Sequence, residues 1–236
     1  MVSILLASAM LLTGAPQGDA APAAIEVNLA RTYKAGESQA YTHEMKMTLP
    51  EMDEKLTMSG GLTWKVAEIT PKGAKIEASY KDVKMLFGSE EAPMEGEIKN
   101  QTLEWDAYGI PTGYGSKAVA DDDNPLSGME IFCILPNQKL GLGKDFKFTW
   151  NGEETKIEGT GKLIATGMLY EEHVAKVSME LTESPKDDAV GKYEYTAYFN
   201  TENGKLVKVE GTYETESEEM GGKLTAEFVF KKVRDK

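Results

Sequence analysis

Apolar side chains in this chain return at every second residue, in short segments that recur about every ten to fifteen residues. That period fits a strand with one buried face and cannot serve an amphipathic helix, whose apolar residues must return every three or four positions. From Tyr41 to Leu49 one face carries Tyr41, His43, Met45, Met47 and Leu49, and the other carries Thr42, Glu44, Lys46 and Thr48. Leu62, Trp64 and Val66 follow, then Ile76, Ala78 and Tyr80, with Thr70-Pro-Lys-Gly73 as the turn between them. In the C-terminal third, Ala175, Val177, Met179 and Leu181 share a face, as do Tyr193, Tyr195, Ala197 and Phe199. Thr201-Glu-Asn-Gly204 carries the Asn-Gly pair of a tight hairpin. Beyond it come Val207, Val209, Gly211 and Tyr213, and after Gly221-Gly222 come Leu224, Ala226, Phe228 and Phe230. Strands at this spacing predict an all-β fold, a curved antiparallel sheet forming a barrel or half-barrel.

Two stretches break the alternation. Residues 87–97 and 106–124 are rich in Gly, Pro and acids and read as loops. Asn124 then offers a capping side chain and Pro125 a preset φ. Leu126, Met129 and Cys133 fall on one helical face before Pro136 ends it, so one short helix is predicted near residues 125–135.

The chain opens with an apolar run, Met1 to Leu12, followed by mostly small residues through Ala24. This pattern reads as a cleavable export signal over residues 1–20, with Gly18 and Ala20 as the small residues before the cut. The run is shorter than the ~20 apolar residues of a bilayer span, and no later stretch is longer. The expectation is one antiparallel β domain over residues 21–236, periplasmic or secreted, with no transmembrane segment and no anchoring cysteine near the cut. Its 26 Lys and Arg against 39 Asp and Glu give a net charge of −13, which argues against nucleic acid and anionic membranes as partners.

Residues that carry chemistry are few. There are two histidines, His43 and His173, and one cysteine, Cys133, in an apolar context that suits packing. Asp121-Asp-Asp-Asn124 resembles a calcium loop, but counted from Asp121 the sixth and twelfth positions are Leu126 and Phe132 rather than Gly and Glu. Gly141-Leu-Gly143-Lys144 lacks the length of a phosphate loop and reads as a turn ahead of Phe146, Phe148 and Trp150. Asn100-Gln-Thr102 is a glycosylation sequon. No zinc set and no Gly-x-Ser-x-Gly elbow are present. The expectation is a non-enzyme with no catalytic residue, no metal site and no cofactor. Ten of the twelve methionines lie beyond the leader, and methionine suits both irregular cores and surfaces that adapt to apolar ligands.

The long opening hairpin from Thr42 to Val66, the insert at Pro125 to Leu135 and the closing meander from Tyr193 to Phe230 together resemble exported bacterial proteins with the lipoprotein-carrier type of half-barrel. Leu135-Pro136 followed by Gly143-Lys-Asp145-Phe146, and Phe199-Asn200 followed by Gly204-Lys-Leu206, resemble uncharacterised secreted β domains. The resemblance implies a sheet wrapped around an apolar or lipid-like ligand. The inward set Tyr41, Met45, Met47, Trp64, Tyr80, Tyr195, Phe199 and Phe228 is the candidate lining. The alternative is an envelope module acting through its surface, with a solid core and no small-molecule ligand. A hydrolase would require His43 or His173 in a pocket beside a serine or carboxylate.

Overall fold

A computed structural model describes residues 25–50, 55–92, 100–110, 112, 134–152, 155–186, 189–217 and 221–234. Among these residues there are thirteen strands and no helix. They are β1 (Glu26–Val27), β2 (Ser38–Thr48), β3 (Leu56–Thr70), β4 (Gly73–Phe87), β5 (Glu90–Ala92), β6 (Gln101–Asp106) and β7 (Leu140–Gly141), followed by β8 (Asp145–Asn151), β9 (Thr155–Leu169), β10 (Glu172–Pro185), β11 (Gly191–Asn200), β12 (Leu206–Ser217) and β13 (Gly222–Lys232). Eleven form one sheet in the order β5-β4-β3-β2-β13-β12-β11-β10-β9-β8, with β6 also paired to β4, and β1 and β7 form a separate pair. Every ladder between named strands is antiparallel, and most neighbours are joined by tight turns as the alternation predicts.

Curvature follows from a strap at the N-terminus of the described chain. The amide of Leu142, itself bridged to Leu163 on β9, donates to Ile25 O, and the amide of Arg31 donates to Ala107 O just past β6. A flat sheet would put β9 and β6, eight steps apart in the order, about 38 Å from each other at ~4.8 Å per step. Six residues span at most ~21 Å. The sheet must therefore bend so that its flanks face one another.

The barrel is not closed. The end strands β8 and β5 are not hydrogen-bonded to each other, nor is β6 to β8. Closure needs edges within ~4.8 Å. Here Leu29, Ile134, Leu135 and Leu140, none of them on the large sheet, are buried in the same apolar cluster as Leu103 and Trp105 of one flank and Phe146 and Phe148 of the other. Their bulk fills the space that closure would remove. The helix expected near residues 125–135 falls outside the described residues except for Ile134 and Leu135, which are irregular; the Leu135 amide donates to Tyr108 O. The Asp121–Asn124 segment and Cys133 also lie outside the described residues.

The convex face is wet. Glu44–Lys46, Lys156–Glu158, Asp145–Lys162 and Glu214–Lys223 are exposed pairs, each worth at most ~1 kcal/mol. One polar turn is built more firmly. Between β11 and β12, Asn200 Oδ1 accepts the amides of Glu202 and Asn203, its Nδ2 donates to Glu172 at 2.8 Å, and Gly204 supplies a φ of 69°. Asn200 is 7 % exposed. Asn200→Ala strands these partners, so a loss of about 2 kcal/mol in urea unfolding is expected, against a negligible change for the exposed Glu202→Ala.

Candidate functional site: the concave face

The ladders align the inward side chains into rows that cross the whole sheet. One row reads Met85, Met58, Met45, Phe228, Gly211, Tyr195, Met179, Gly161 and Phe146, from β4 to β8. The next reads Phe87, Leu56, Met47, Ala226, Tyr213, Tyr193, Leu181, Gly159 and Phe148. Glycine occupies inward positions where the neighbouring rings need room. A Cβ at Gly161 would sit 2.4 Å from the Phe146 ring and 2.5 Å from Met179 Sδ.

Seven of the eight residues of the expected lining lie in or against this one apolar cluster, and Met47 shares their face opposite Leu56 and Ala226. Tyr41, Tyr195, Phe199 and Phe228 are buried, while Met45, Met47, Trp64 and Tyr80 are half-buried. Burial is graded along the strands. Tyr41, Leu62, Ile76 and Leu103 are sealed, whereas Met45, Met47, Val83, Met85 and Phe87 remain partly open at the other end. Five methionines, Met45, Met47, Met58, Met85 and Met179, sit on the inward side, and Met168 is 58 % exposed on β9. Met52, Met94, Met129 and Met220 lie outside the described residues.

His43 is on the sealed part of this face, 4 % exposed, stacked on Phe230 at 5.7 Å between centroids. Its cross-strand partner is Gly60, over which the imidazole lies, and Val83 packs against the same glycine. Neither ring nitrogen has a hydrogen-bond partner, and burial lowers its pKa from 6.5 to about 4. His173 is exposed beside the Tyr170-Glu171 turn, whose residues have φ of 55° and 67°. The two histidines do not meet in one pocket. Among the described residues no three His, Cys, Asp or Glu side chains gather as a metal set.

At the sealed end a small cavity of about 40 Å³ is lined by Tyr41, Trp64 and Trp105 with Arg31, Tyr33 and Gln39. The rings form a chain, Tyr41 to Trp64 at 4.8 Å and Trp64 to Trp105 edge-on at 5.2 Å, and the Arg31 guanidinium lies 5.4 Å over Trp105. Gln39 Nε2 and Tyr41 Oη both donate to Leu206 O, and Lys205 pairs with Glu37 at 2.6 Å. The cavity has room for a few waters and is roughly tenfold too small for a drug-sized ligand.

Arg31 and Trp105 are absent from the lining expected from sequence. Trp105 had a signal, since Gln101, Leu103 and Trp105 alternate in QTLEWD; Arg31 precedes the first long strand and carries none.

No protein-family model matches the chain, and no curated protein matches it. Solved structures similar to it include DynF from the dynemicin biosynthesis pathway of Micromonospora chersina, 8 % identical, covering 98 % of this chain and 93 % of that one at a TM-score of 0.26. A DUF1329 family protein from Desulfovibrio piger is 10 % identical, with 82 % and 85 % covered and a TM-score of 0.27. A putative outer membrane lipoprotein-sorting protein domain from Vibrio parahaemolyticus is 10 % identical, with 83 % of each chain covered and a TM-score of 0.24. TM-scores this low do not establish a shared fold.

Proposed function

We propose that this protein is an exported, non-catalytic binding domain that takes an apolar or lipid-like ligand against the methionine-rich end of its concave face. The observation that carries this reading is the gradient of burial. Inward residues at one end of the sheet are sealed, while Met45, Met47, Met85 and Phe87 keep partial exposure on either side of the buried Leu56 and Met58. Methionine is unbranched and polarizable, so these side chains can repack around acyl chains of different shape. The non-catalytic part rests on His43, which has no hydrogen-bonded partner to orient it as a base, and on the exposure of His173.

Native mass spectrometry and organic extraction of the purified protein are expected to yield a bound lipid, and the stripped protein should bind a fluorescent fatty acid. Met47→Glu places a charge on the open apolar surface and should weaken that probe at least about tenfold, since each 1.4 kcal/mol of lost contact is a decade. Because Met47 is half-buried, the fold should survive.

A second reading is favoured by the packed interior. With a cavity of only about 40 Å³ between sheet and strap, the domain would act through its surface as an envelope module. It expects no extractable lipid and no response to the probe.

A further inference from the structure

We propose that His43 and the methionine row Met45–Met58–Met85 form a binding site for a soft monovalent metal ion, Cu(I). A buried polar group with no partner costs ~1–3 kcal/mol and calls for an explanation, of which an absent ion is one. His43 is such a group at both ring nitrogens while only 4 % exposed. Its surroundings identify the kind of ion. Met45 is two residues along the same strand face; Met58 is the direct cross-strand partner of Met45, and Met85 is the partner of Met58. Directly opposed residues have Cβ atoms ~4.5–5.5 Å apart, and diagonal neighbours at ~7–8 Å are within reach of long side chains.

Gly60 helps to create the opening. Facing His43 on β3, one row from Met58, it lets the imidazole lie over the strand; an added Cβ would come within 3.0 Å of His43 Cε1. On the far side, Asp82 at a φ of 51° forms a bulge, placing two residues opposite one and returning Met85 to the inward face. The donors gathered here are thioethers and one neutral imidazole, and no carboxylate faces inward among these rows. Hard cations need oxygen ligands and zinc favours thiolates, several imidazoles or carboxylates. Thioether sulfur with imidazole selects Cu(I). The half-exposed Met45 and Met85 give the ion a route inward, while Met58 at 0 % and His43 at 4 % exposure shield it from water. This inference does not rest on the apolar-ligand reading.

Cys133 is the one thiol in the chain and a stronger soft ligand than any thioether, so the test uses Cys133→Ser protein. Anaerobic titration with Cu(I) against bicinchoninate should show one ion retained per chain. His43→Leu and Met58→Leu, both apolar replacements of comparable bulk, should each weaken retention at least about tenfold, since even outer-shell changes cost metal sites that much. Met168→Leu, on an exposed residue, should leave it unchanged. X-ray absorption at the copper edge of the Cys133→Ser protein should show a mixed shell of sulfur and one imidazole nitrogen, which does not depend on the site variants folding. Failure to retain Cu(I), equal retention by His43→Leu, or a shell of nitrogen and oxygen alone would overturn the proposal.

Discussion

Lowering the pH from 7 to 4 is expected to remove about 3 kcal/mol of folding stability through His43 alone. The sign follows from the two protonation equilibria. Burial lowers the folded pKa of His43 from 6.5 to about 4. Between those values the unfolded chain holds a proton on this imidazole and the folded chain does not. Stability is therefore intact above pH ~6.5, falls as the pH drops toward ~4, and levels off below that as far as this group is concerned. Burial alone sets the shift, and among the groups beside the imidazole are the Phe230 ring and the bare strand at Gly60.

The check is urea unfolding of metal-free protein at pH 7.5, 5.5 and 4.5, for the parent and for His43→Leu. The carboxylates titrate in both proteins and cancel in the comparison. The parent should lose about 2.5 kcal/mol more than the variant over that range, most of it between pH 6.5 and 4.5. Parallel curves would mean that the imidazole reaches solvent and that its nitrogens are not stranded. Since the chain has only two histidines, an imidazole NMR titration assigned with the same variant reads the site directly.

How far this architecture can be read from sequence depended on where glycine and bulges fall. The hairpin Tyr193–Tyr213 is plain, because each inward position except Gly211 carries an aromatic or aliphatic side chain and the Asn203-Gly204 pair supplies a hairpin turn. The strand Thr155–Leu169 is not, because its inward positions include Gly159, pressed against the backbone of β10, and Gly161, which makes room for Phe146 and Met179. In β4 the alternation is visible through Tyr80 and then lost. The bulge at Asp82 moves the inward set from even positions, Ala74 to Tyr80, to odd ones, Val83 to Phe87. Met85 thus belongs to the same row as Met45, although a strict period of two would place it outside. The lining residues chosen from alternation do gather on one face, as the ladders require. The packing of that face could not be read in the same way, since it depends on the strap of Leu29 and the distant Ile134 and Leu135, which no periodicity ties to the sheet.

Those inward glycines also carry the largest mutational effect expected. A Cβ at Gly159 would stand 1.9 Å from the backbone oxygen of Glu180, and at Gly211 2.3 Å from that of Glu194 and 2.4 Å from Tyr195 Cβ. These are contacts with the neighbouring strand and its first side-chain carbon, not with the yielding tip of a side chain. Either the ladder between the two strands moves or the new methyl is not accommodated. Gly159→Ala and Gly211→Ala should each cost about 3 kcal/mol or more, the upper end for overpacking, because backbone cannot repack as a rotamer can. Gly161→Ala first meets side-chain tips, the Phe146 ring and Met179 Sδ, and should cost less, about 1–2 kcal/mol. Gly167→Ala, with nothing within 4 Å of its Cβ, is the control and should be neutral or slightly stabilising, since alanine restricts the unfolded chain. Urea unfolding of the four variants gives the order. If Gly159→Ala proved as mild as Gly167→Ala, strands β9 and β10 would have to lie further apart than their ladder allows, and the rows on which the concave site is built would lose their alignment at β8.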